Sequence, residues 1–155
     1  MLVRTLTVGA VVMAVAVTLA SGGSASATKT LRFLDSQRSF TIDPQGPPTV
    51  GSRLIFTHVL YNRGSQFGKP AGARIGSAES ICTVVSPSLA QCSVTAHVPD
   101  GEVVAMGSLR LSENGRTQST FAIIGGAGAY SSARGTVASR DLSDTRSLVT
   151  LHVTG

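Results

Sequence analysis

The chain has 155 residues, of which 42% are hydrophobic and 14% charged, a balance that supports a packed domain and excludes a disordered one. It carries 13 Lys and Arg against 8 Asp and Glu, for a net charge of +5. The basic residues are mostly single arginines without a basic run or interleaved aromatics, so nucleic acid is not an expected partner.

The first 27 residues read as a signal peptide. Arg4 supplies the positive start, and Val8 to Ala20 is an uncharged apolar run, short for a membrane span. Ala25-Ser26-Ala27 is a small-x-small cleavage site. The expectation is a secreted protein, with no membrane contact after cleavage, whose residues 28–155 form one domain.

Beyond that point the chain reads as eight strands with little helix. Leu31 to Thr41 is the first, and Leu54 to Tyr61, rich in β-branched and aromatic residues, is the second. Ser80 to Val85 and Gln91 to Val98 follow. Pro99-Asp100-Gly101 signals a turn before Glu102 to Leu111. Asn114-Gly115, the strongest short hairpin signal, leads into Gln118 to Ile124. Gly125, Gly126 and Gly128 read as a sharp structural corner, since clustered glycines permit positive φ and close backbone approach. Gly135 to Arg140 and Arg146 to Val153 complete the set, joined through Leu142-Ser143-Asp144. Gln45 to Thr49 and Ser65 to Gly76 read as polar loops.

Both faces of several strands are apolar. In the second, Leu54, Phe56, His58 and Leu60 share one side and Ile55, Thr57, Val59 and Tyr61 the other. That suits a closed eight-stranded antiparallel barrel with an apolar lumen. Its outer face would be partly covered by loops or by partners, a homo-oligomer included. Cys82 and Cys92 are symmetric about Pro87, so a three-residue turn at Ser86-Pro87-Ser88 sets them opposite each other. Facing residues on antiparallel strands have Cα atoms about 4.5–5.5 Å apart, so a disulfide is expected in an exported chain. No further soft ligand accompanies them, so no metal is expected.

The segment from Phe121 to Val137 (FAIIGGAGAYSSARGTV) resembles the GG-x-G-x-[FY]-x-x-A-x-G signature of plant allene oxide cyclases and dirigent proteins. In this chain the matching glycines are Gly125, Gly126, Gly128 and Gly135. Gly51 to Asn62 (GSRLIFTHVLYN) is similar to the allene oxide cyclase segment GD-L-x-P-F-T-N-x-L-Y-D, and Ile81 to Val85 to its L-C-V-V strand. The three occur in order and span about residues 31–140. The resemblance implies an allene oxide cyclase-like β-barrel that folds a small apolar ligand in its lumen. It also implies an isomerase or cyclase that needs neither metal nor organic cofactor. Where the cyclases carry Glu and, two residues on, Asn, this chain has Asp35 and Gln37. His58 stands at the Asn of F-T-N.

Asp35 is therefore the first candidate for chemistry, to orient or protonate a ligand oxygen. His58 is the second, to hold a water or donate another hydrogen bond. Gln37 and Phe56 share their faces and are expected to contact the ligand. Arg110 reads as a surface residue. The glycines lack the dinucleotide and P-loop spacing, and no serine has a nucleophile-elbow context. Two function classes remain open. One is a cyclase or isomerase acting in the lumen; the other is a non-catalytic dirigent- or lipocalin-like binding protein.

Overall fold

The computed structural model describes residues 28–111 and 118–155, and the expected signal peptide and Asn114-Gly115 turn lie outside the described residues. The strands are β1 (Lys29–Asp43), β2 (Arg53–Asn62), β3 (Arg74–Ser86), β4 (Leu89–Val98), β5 (Gly101–Arg110), β6 (Gln118–Gly128), β7 (Arg134–Ser143) and β8 (Arg146–Thr154). Each pairs antiparallel with its neighbours in sequence, and β1 pairs with β8, so the sheet closes into a barrel. Closure leaves no free sheet edge, which is how the apolar alternation of β1 to β8 avoids edge-to-edge pairing. Among the described residues no helix is long and apolar enough to cross a membrane.

The two ends of the barrel differ. At one end Leu31, Ile75, Val98, Tyr130, Ala133 and Val153 pack into a buried floor. Asn62, 3% exposed, donates to the carbonyls of Gln66 and Lys69 and so holds the loop after β2. Gln66 then bonds both backbone groups of Arg32 on β1. Lys29 reaches Asp100 and Tyr130, each at 3.3 Å, and lies over the Phe67 ring. Partial burial works against the Lys29 charge, but its bonds to Tyr130 and Asp100 prevail and raise its pKa. The opposite end, toward Pro48, Pro87, Leu111 and Asp144, is open to the lumen.

Three expectations change in detail. First, β3 begins at Arg74, inside the stretch read as a loop, because Leu60 and Tyr61 of β2 offer it partners as far as Gly76 and Arg74. Second, Cys82 does face Cys92, but the turn is Pro87-Ser88, two residues long, and Val85 bulges out between the Val84 and Ser86 pairs. Third, the glycines are not the corner. β6 runs on to Gly128 with Ile124 as a bulge, and the corner is residues 129–133. Gly126 crosses so near β5 that a Cβ there would lie 1.9 Å from the Glu102 carbonyl oxygen. At Gly128 φ is 62°, the left-handed region that suits glycine. Together they let Tyr130 fold under the barrel, 3% exposed.

Cys82 and Cys92 form a disulfide across β3 and β4, with Cα atoms 4.0 Å apart. Both are buried in the lumen wall. Titration of unfolded, unreduced protein should find no thiol. Replacing both by alanine should cost about 3 kcal/mol by chain entropy for a loop this short, read as a lower urea midpoint. An unchanged midpoint would rule out that contribution.

Candidate functional site

The lumen is a cavity of about 540 Å³. Its walls are mainly apolar, with Val94, Val103, Ala105, Phe121, Val137 and Val149 among the lining residues. Period two along each strand decides which side chains enter. On β1 these are Phe33, Asp35 and Gln37; on β2 they are Phe56, His58 and Leu60. All four residues expected at the site thus border one cavity: Asp35, Gln37, Phe56 and His58. Gln37 faces His58 directly across β1 and β2, while Asp35 faces Leu60, which sets Asp35 diagonal to His58.

Asp35 Oδ1 lies 3.0 Å from His58 Nδ1, and the two side chains are only 14% and 16% exposed. This close approach is not aligned as a hydrogen bond, and both atoms are buried without a hydrogen-bond partner among the described residues. The ion-pair distance and the missing hydrogen bond describe one arrangement. The groups sit within reach of each other and keep unspent bonding capacity beside the cavity. Phe56 flanks the imidazole, with ring centroids 6.1 Å apart, and stacks on Phe40 at 4.8 Å. An imidazole beside a carboxylate can pass a proton to or from a group in the lumen.

The structure adds polar residues that the sequence reading left out. Ser139, Asp141 and Ser147 line the cavity from β7 and β8. Ser147 faces Asp35 on one side and Asp141 on the other, and its hydroxyl donates to Asp141 Oδ1 at 2.8 Å. The alternation from Val137 through Ser139 was the available signal, but it points inward at Asp141 only if β7 continues past Arg140. Arg110, read as a surface residue, is exposed and borders the mouth of the cavity as well.

No protein-family model and no curated protein matches the chain. Solved structures do match. A pyocyanin demethylase is 24% identical, with a TM-score of 0.62, over 81% of this chain and all (100%) of that one. A pterocarpan synthase dirigent protein is 17% identical, with a TM-score of 0.59, over 84% of this chain and 95% of that one. The fold is the cyclase and dirigent-like barrel. The Diels Alderase AbmU from Streptomyces koyangensis shares it at 18% identity and a TM-score of 0.61, over 81% of this chain. The chain spans 62% of that larger protein. At these identities the likeness to cyclases and dirigent proteins is one of fold alone.

Proposed function

We propose that this chain is an exported barrel that binds a small apolar molecule in its lumen and directs its cyclisation or isomerisation. The observation that carries this reading is the partly buried Asp35 and His58 pair, 3.0 Å apart, bordering a cavity of about 540 Å³. The apolar walls supply affinity by area, and a few polar groups fix orientation. Asp35 stands beside the imidazole and orients the ligand's polar atom, while Gln37 and Phe56 bound its position. His58 takes a proton from one ligand atom and returns it at another. An isomerisation needs nothing more for balance, and such proton transfer contributes typically 10²–10⁴-fold in rate. Solved barrels of this fold include a cyclase of [4 + 2] cycloaddition and dirigent proteins, which supports a cyclisation-directing role. The apolar Val8 to Ala20 run, the Ala25-Ser26-Ala27 site and the disulfide support export.

A second reading, a non-catalytic carrier, has its own support in the missing hydrogen bond between Asp35 and His58. Native mass spectrometry of protein purified from its own host tests the shared premise. A co-purifying small molecule lost on Phe56→Asp substitution is expected. Identical spectra for wild type and variant, with no bound mass in either, would count against a lumenal ligand. If the recovered molecule is converted by the barrel, the enzymatic reading stands; if it is released unchanged, the carrier reading replaces it.

A further inference from the structure

Three polar residues are buried among the described residues: Ser52, Asn62 and Ser80. Ser52 accepts a hydrogen bond from the Thr49 backbone, and Asn62 holds the loop after β2. Ser80 alone of the three has no side-chain hydrogen bond among the described residues. It lines the cavity from β3, facing Phe56 on β2 and Val94 on β4, with Ala78 and Cys82 to either side along its own strand. A hydroxyl among apolar neighbours is costly unless it finds a partner, so alanine would serve the barrel better there. The lumen is where that partner can come from. His58 is diagonal to Asp35, one strand over and two residues nearer the mouth, and Ser80 is diagonal to His58 in the same sense. Diagonal neighbours of this kind lie about 7–8 Å apart, within reach of an aromatic ring. Nδ1 is the ring nitrogen beside Asp35, which leaves Nε2 for a ligand. Gln37 flanks His58 from β1, so Ser80 is the polar group on its other side.

We propose that Ser80 is a further catalytic residue, donating its hydroxyl hydrogen to a carbonyl oxygen of the ligand, and that the substrate is an unsaturated ketone on an apolar body. This rests on the lumenal proton transfer proposed above. A proton leaves carbon readily only where a neighbouring group takes up the electron pair, and a carbonyl beside the C–H does so. His58 takes the proton from that carbon. The C–H pair becomes a new C=C bond, the carbonyl π pair moves onto oxygen, and the Ser80 hydroxyl bonds the enolate oxygen that results. The imidazolium returns the proton to the carbon at the other end of the conjugated system. The carbonyl re-forms and the double bond has moved, with no atom gained or lost. A donor placed where such charge develops contributes about 10²–10³-fold in rate.

The test uses tetralin and 2-tetralone, which differ only by the carbonyl. Affinities are measured by calorimetry on the full barrel. Enolisation is followed as loss of the C1 proton signal of 2-tetralone in heavy water, against a buffer blank. Wild type is expected to bind 2-tetralone about tenfold tighter than tetralin and to accelerate the exchange. Ser80→Ala should cut that ratio to about twofold or less, leave tetralin affinity in place and slow the exchange by about 10²-fold. Ser80→Thr and Ser80→Val share one shape and differ by a hydroxyl. The threonine variant should keep the ratio and the valine variant lose it, a contrast that packing alone does not produce, and this pair decides if Ser80→Ala fails to fold. An unchanged ratio and exchange rate without the hydroxyl would overturn the role of Ser80 and leave lumenal binding intact. Exchange no faster than in buffer, with binding that still depends on the hydroxyl, would overturn the catalytic step and leave Ser80 a binding contact. No binding of either probe by wild type would overturn both readings.

Discussion

Replacing Gly126 by alanine is expected to cost about 4 kcal/mol or more and to lower the melting temperature by more than about 10 °C. The added Cβ would lie 1.9 Å from the Glu102 carbonyl oxygen and 3.0 Å from that of Tyr130. Both are backbone atoms, held in the β5–β6 ladder and in the corner after β6, so neither can rotate away as a side chain would. Relief requires moving β6 off β5, and that opens the barrel where Tyr130 and Val103 seal it. Gly64→Ala is the control. A Cβ there meets nothing within 4 Å, and its φ is not in the left-handed region, so the change should be neutral or stabilise slightly. Equal melting temperatures for the two variants would show that the glycine cluster does not set this crossing.

That contrast marks what was legible in the sequence. Period-two alternation in Leu54 to Tyr61 and the turn signals between strands are local, so the eight strands and the closed barrel could be read from them. The cysteine pairing could also be read, because a short hairpin fixes its own register within a few residues. Strand ends were less legible. Arg74 to Glu79 became strand only because β2 supplies partners on one side and β4 does so from Ser77 on, and Gly125 to Gly128 stayed in strand because β5 does the same. Glycine has the freedom to turn, but here its small size serves a close crossing instead.

The site divides along the same line. Asp35, Gln37, Phe56 and His58 lie on two adjacent strands, and spacing by two sends each inward. Asp141 and Ser147 join them only through closure of β8 onto β1, a contact between the two ends of the chain. No local pattern announces such a row. Arg110 shows the limit of alternation at a rim, where a long side chain leaves its strand and borders the opening.

Asp35→Asn is expected to keep the fold and to reduce turnover of the natural ligand by about 10²-fold or more, the scale of a lost acid–base contribution. The amide has nearly the same shape, so the lumen keeps its volume and the melting temperature should move by no more than a few degrees. What changes is the charge beside the imidazole. Without the carboxylate at 3.0 Å, His58 loses the charged group that stands against its ring in the cavity wall. His58→Gln should therefore cause a loss of similar size. The double variant should be little worse than either single one, because groups that act as a unit are not additive. A readout independent of substrate is the nitrogen-15 spectrum of the His58 ring, which should shift in Asp35→Asn and stay put in Gln91→Ala on the outer wall. Fully additive losses in the double variant would break the pair into two separate roles. If Asp35→Asn turns over the ligand at the wild-type rate while the ring resonances move, the pair exists but does no chemistry. The barrel would then act by the shape of its apolar walls alone.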